Sequence, residues 1–96
     1  MRAIYIDDPH ALGANKRRHK FTFGPEKTIA SGVEAPVTLG TQRIGVVRGI
    51  DTLSPRGKPL RIWEVQLTNY DVASGNNLAL ALRRILPRAL RLTGQS

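Results

Sequence analysis

Helical periodicity is confined to the C-terminal end of this chain, and that asymmetry limits the available folds more than any other feature. Leu78, Leu82, Ile85, Ala89 and Leu92 recur at helical spacing and share one face. Arg83, Arg84, Arg88 and Arg91 fall on the other side, where late cations suit the negative end of a helix. The spacing predicts an amphipathic helix over 77–92, with several possible caps between Asn69 and Asn77, Asp71 and Ser74 foremost. Pro87 lacks the N–H that a helix interior uses, and its ring crowds the preceding turn at a cost of roughly 3 kcal/mol. A kink at Pro87, or a break into 77–86 and 88–92, is therefore the expectation.

Everything earlier reads as strand or turn. Residues 2–6 form a short strand stopped by Asp7-Asp8-Pro9, and residues 9–20 form a basic loop around Gly13 and Asn15. Phe21-Thr22-Phe23 alternates as a second strand, ended by Gly24-Pro25. Residues 26–36 show no period and read as a connector. In residues 37–53, Ile44, Val46 and Ile50 fall on one side of an extended strand, with Arg43, Val47 and Asp51 on the other. Gly40, Gly45 and Gly49 imply bulges or tight bending there. Ser54-Pro55-Arg56-Gly57-Lys58-Pro59 is a turn, since Pro55 presets a corner and Gly57 tolerates a left-handed one. Residues 60–68 then place Trp63, Val65 and Leu67 on one face, and Glu64, Gln66 and Thr68 on the other. Residues 37–68 are thus a β-hairpin. The order β-β-β-β-α, in one domain over 1–96, implies an α+β fold: a small antiparallel sheet or partial β-barrel of about four strands, with one C-terminal amphipathic helix.

Charge narrows the function. Fifteen Lys and Arg oppose seven Asp and Glu, for a net charge of +8 and a pI near 11.2. Arginine supplies most of the cations, and its planar fork grips phosphate in two places at once. Such an excess on a small surface draws polyanions. There is no cysteine, which removes disulfides and thiolate chemistry together. No apolar run approaches the ~18 residues of a membrane span, and the first residues do not read as a signal peptide. The expected setting is cytoplasmic, nucleoid-associated or within a complex assembled in the cytosol. At 96 residues the core is small, so a homodimer or larger protein complex would help stabilise it.

Three basic clusters are candidate binding sites. Lys16, Arg17, Arg18 and Lys20 precede Phe21 and Phe23; Arg56, Lys58 and Arg61 sit on and beside the hairpin turn; Arg84 and Arg88 represent the helix face. Charges that track a backbone beside rings that stack on bases are the parts of a single-strand binder. Phe21, Trp63 and Tyr70 are the candidate rings, although Phe21 and Trp63 also suit a core. A basic amphipathic helix also fits a membrane surface, but here the apolar face is short and is needed for the protein's own core. Chemistry is poorly provided for. The histidines are His10 and His19, no second ligand stands at metal-binding spacing, and no serine has the flanks of a nucleophile elbow. No catalytic residue, metal or cofactor is expected; the only enzyme that can be built is a metal-free nuclease using His19.

Residues 43–67, from Arg43-Ile-Gly-Val-Val through Arg56-Gly-Lys-Pro to Trp63-Glu-Val-Gln-Leu, resemble the first hairpin of OB-fold nucleic-acid-binding proteins. The Gly-Lys-Pro turn is similar to that of filamentous-phage single-stranded-DNA-binding proteins. The resemblance implies phosphate contact at Arg56 and Lys58. An OB-fold carries further strands after this hairpin, whereas this sequence continues into a helix. The strands-then-helix order is also similar to the whirly single-strand binders, which dimerise through their helices. The expected function is nucleic-acid binding, with single-stranded DNA or RNA preferred and phosphate contacts dominant. The alternative is a small interaction or assembly protein, such as a virion or ribonucleoprotein component, or an inhibitor docking on an acidic surface.

Overall fold

The C-terminal apolar stripe forms one unbroken helix, and the rest of the chain wraps a sheet around it. The computed structural model describes residues 2–7 and 18–94, with Arg2 placed in its backbone only. Strands β1 (Arg2–Asp7), β2 (Arg18–Phe23), β3 (Lys27–Ile29), β4 (Gly32–Leu39), β5 (Gln42–Leu53), β6 (Pro59–Leu67) and β7 (Val72–Gly75) precede helix α1 (Leu78–Thr93). All pair antiparallel in the order β1-β2-β4-β5-β6-β7, with β3 beside β4 along the same edge as β2. The sheet curls into a half-barrel, and α1 lies across its inner face, touching β7, β6, β5 and β1. The fold is α+β with a partial barrel and one C-terminal helix.

Seven strands replace the expected four. The supposed connector 26–36 holds β3 and most of β4, the stretch 37–53 is cut by a tight turn at Gly40-Thr41, and the supposed cap region contains β7. Proline hides the first of these. Gly24 donates to the Pro36 carbonyl at 3.0 Å, so Pro36 turns its nitrogen toward the β2–β3 side and has no N–H to offer there. The neighbouring strand is interrupted at that point, over Gly24-Pro25-Glu26, which divides it into β2 and β3.

A bulge reverses the expected faces of β5. Thr38 pairs with Arg43 but Val37 pairs with Gly45, so Ile44 is the extra residue. Ile44 and Val47 are buried, while Val46, Arg48 and Ile50 turn to the outer face. Sequence alternation puts Ile44 with Val46 and Ile50; the inserted residue separates them.

The helix also departs from expectation at both ends of the argument. Its cap is Asn77, whose side-chain oxygen accepts from the Leu80 N–H at 2.8 Å, and it ends at Gly94 in the left-handed region (φ 74°). It runs straight through Pro87. Leu86, Ala89 and Leu90, on either side of the proline, are all buried. Burying two leucines contributes about 1.5–3 kcal/mol each, enough to offset the proline. The carbonyl that Pro87 leaves without a donor belongs to Arg83, an exposed residue within reach of water.

The core lies between the inner sheet face (Phe21, Val37, Leu39, Ile44, Val65, Leu67) and the helix (Leu82, Ile85, Leu86, Ala89). Among the described residues no helix covers the outer face. At its centre Arg48 donates from Nε to Glu34 at 2.8 Å, and from Nη1 to Glu64 at 3.2 Å and Gln66 at 2.8 Å. Glu34, Arg48 and Glu64 are directly opposite one another on β4, β5 and β6. Removing the arginine leaves two half-buried carboxylates facing each other. Arg48→Ala is expected to cost about 2 kcal/mol, below the 3–5 of a fully buried pair because these side chains keep some solvent. Urea denaturation measures it, and adding Glu34→Gln and Glu64→Gln is expected to recover part of the loss.

Candidate nucleic-acid interface

The half-barrel has two ends. One carries the β3–β4 turn at Ala30-Ser31, the β5–β6 turn and the start of α1. The other gathers the ends of β1 and β2 at Asp7 and Arg18, the Gly40-Thr41 turn and the Thr68–Tyr70 turn. Beyond Ile50 and Ile62, β5 and β6 have no other strand beside them among the described residues and project as a two-stranded ribbon. The radius of gyration, 14.0 Å, exceeds the roughly 12.5 Å of a round chain this long, as the projection requires.

The expected site residues separate onto three surfaces. Lys16 and Arg17 lie outside the described residues. Arg18 sits on β2, 3.5 Å from Asp7, with both side chains exposed. Lys20 stands on the outer sheet face opposite Tyr5. Arg56 and Lys58 occupy the ribbon tip, where Gly57 takes φ 78° and Ser54 accepts from the Lys58 N–H at 3.1 Å. Arg61, at the ribbon base, grips Asp51 with two hydrogen bonds (2.7 and 3.2 Å) and lies 5.6 Å from the Trp63 ring centre. The same hydrogen bond holds the Asp51 carboxyl below its ordinary pKa.

Arg84 and Arg88 turn back onto the fold. Arg84 donates to the Ser74 carbonyl at 2.7 Å, and Arg88 to the Val72 carbonyl at 3.1 Å. These carbonyls lie on the edge strand β7, so the helix arginines occupy acceptors that would otherwise invite another strand. Among the described residues neither cation meets a carboxylate.

The outer face at the second end brings together residues from separate parts of the chain. Tyr5 and Lys20 are a cross-strand pair on β1 and β2; Thr22, Thr38 and Arg43 form the next row on β2, β4 and β5. Beside Arg43, a shallow groove of about 280 Å³ is lined by Val46, Gln66, Thr68 and Tyr70. Among the described residues Lys20 and Arg43 have no carboxylate partner, unlike Arg18, Lys27, Arg48 and Arg61. Tyr70 is 82% exposed and Tyr5 56%. Of the other candidate rings, Phe21 is fully buried and Trp63 is half-buried. Tyr70 also has φ 72°, a conformation that costs a side-chain-bearing residue of order 1–3 kcal/mol. Asn69 braces it, accepting from the Asp71 N–H at 3.1 Å, while Tyr70 donates to the Leu67 carbonyl at 2.9 Å.

Sequence reasoning misses Arg43 and Tyr5. The available signal was Gly40-Thr41 read as a turn, which opens β5 at Gln42 and puts Arg43 at the mouth of a strand.

A second concavity lies at the ribbon end, on the inner face. It is an apolar cavity of about 260 Å³ between Phe23, Pro25, Val33, Val47, Trp63 and Leu78, with Glu26 and Glu34 also lining it. Gly49 leaves room for the Trp63 ring beside it: a Cβ there would lie 3.0 Å from that ring. No described helix is long and apolar enough to cross a membrane. Comparison with protein-family models, with curated proteins and with solved structures finds no match to this chain.

Proposed function

We propose that this chain binds nucleic acid, preferring single-stranded DNA or RNA, through the outer sheet face around Lys20 and Arg43. One observation carries the reading: two cations without a carboxylate partner among the described residues share a sheet face with two exposed tyrosines. The cations hold phosphates and release their counterions; the rings stack on bases that a duplex would keep hidden. From β1 to the β6–β7 turn the face spans about four strand spacings, roughly 19 Å, room for a strand to cross the sheet. The ribbon cations Arg56 and Lys58 supply longer-range attraction from the far end.

Fluorescence anisotropy with labelled single strands, duplex DNA and RNA tests this across a salt series. Log affinity is expected to fall linearly with log salt, and single strands to bind best. Lys20→Glu with Arg43→Glu removes two phosphate contacts, so the slope is expected to shrink by roughly 1.4, at about 0.7 per contact. A chain that retains no oligonucleotide in dilute buffer would sink the proposal. The second reading, a small assembly protein, is favoured by the ribbon, where Leu53 is 66% exposed. It requires a defined protein partner and little oligonucleotide binding at physiological salt.

A further inference from the structure

Two features at the ribbon end have no use in the nucleic-acid reading. One is the ribbon's apolar surface: Leu53 and Leu60 are among the few large apolar side chains left in solvent, and Pro55 and Pro59 flank the turn. The other is the cavity, whose lining of Phe23, Val33, Val47, Trp63 and Leu78 stays open at about 260 Å³. A cavity of about 150 Å³ already takes a benzene-sized guest, so this one holds a branched aliphatic side chain with space for a neighbour.

We propose that the β5–β6 ribbon of one copy seats Leu53 in the apolar cavity of a second copy, with Arg56 and Lys58 reaching the carboxylate of Glu26.

Charge selects the occupant. Glu26 lines the cavity and is exposed; it lies within electrostatic reach of Arg61, yet no ion pair joins it to a cation among the described residues. On a chain of net charge +8, a carboxylate beside an apolar hollow is a rare complement to a ribbon tip that carries two cations beside a leucine. The ribbon cannot turn back into its own cavity, because the Asp51–Arg61 pair fixes its base and it projects away from the sheet. From Asp51 to the turn that closes at Ser54 the ribbon extends about 10 Å at 3.3 Å per residue, and the turn carries Arg56 and Lys58 beyond that, enough for Leu53 to enter a neighbour. Ribbon and cavity lie at the same end, so two copies meeting end to end satisfy both contacts at once, as a two-fold pair requires. The face around Lys20 and Arg43 is at the opposite end and stays open.

Trp63 is the sole tryptophan and lines the cavity, so it reports occupancy directly. Nuclease-treated protein is followed by sedimentation equilibrium and by Trp63 emission across a concentration series. The expected result is a two-copy mass, with emission moving to shorter wavelength as copies associate. Leu53→Asp, an exposed change that leaves the core intact, is expected to give a monomer with unshifted emission. Glu26→Lys is expected to weaken association about tenfold or more. Adding Arg56→Glu and Lys58→Glu to Glu26→Lys is expected to restore it. A monomer at high protein concentration overturns the proposal, and so does a dimer that Leu53→Asp leaves unchanged. Neither result bears on oligonucleotide binding at the other end.

Discussion

Gly45→Ala is expected to destabilise the fold by about 3 kcal/mol, the upper part of the usual range for overpacking. A Cβ built at Gly45 lies 2.0 Å from the Gln66 carbonyl oxygen and 2.9 Å from the Leu67 Cα. Those are backbone atoms of the neighbouring strand, so no rotamer change relieves the clash. The β5–β6 ladder must part where Gly45 opposes Leu67 and Val37. Straightening the bulge instead would turn Ile44 out of the core. For a chain of this size the expected fall in Tm is roughly 10–20 °C. Gly57→Ala gives the contrast: nothing stands within 4 Å of its added Cβ, so it meets only the strain of φ 78°. Thermal and urea denaturation of the two variants separate a clash from a strained turn. A Gly45→Ala protein as stable as the wild type would mean that the bulge is absent.

The same glycine shows where the sequence stops being readable. The helix is legible because its apolar stripe has only one partner, the sheet, and the period survives intact. The β5–β6 hairpin is legible because Pro55 and Gly57 mark its corner and Val65 and Leu67 alternate cleanly. Inside β5 the alternation rule fails. One inserted residue changes which side every later residue faces, and nothing local distinguishes a bulge glycine from a flexible one. β4 escapes for another reason: Pro36 argues against a strand, yet its missing N–H falls on the side where the neighbouring strand is already broken. The edge strand β7 is four residues long and reads as polar turn, because its role is to pair rather than to fill the core.

The site was less legible than the fold. Basic residues are visible in the sequence, but their partners are not. Arg61 is tied to Asp51 ten residues away, and Arg84 and Arg88 to backbone carbonyls that only the packed helix brings near. Conversely, Lys20 and Arg43 become neighbours of Tyr5 and Tyr70 only after five strands assemble. A count of cations sets the sign of the potential partner. The distribution of free cations follows from topology.

Tyr70→Gly is expected to move stability and binding in opposite directions. At φ 72° glycine rests where tyrosine is strained, and an 82% exposed ring gives up little packing, so stability is expected to rise by about 1 kcal/mol. If that ring stacks on a base, its removal costs about 1–3 kcal/mol of binding, roughly 5- to 150-fold in affinity. Tyr70→Phe keeps the stacking surface and is expected to bind within a few-fold of the wild type. Anisotropy and thermal denaturation on the same three proteins give both quantities. The pairing matters because a merely structural residue loses stability and function together, whereas here the fold improves as the activity falls. An unstrained glycine variant that binds single strands as tightly as the wild type would remove Tyr70 from the interface and leave its backbone strain without a purpose.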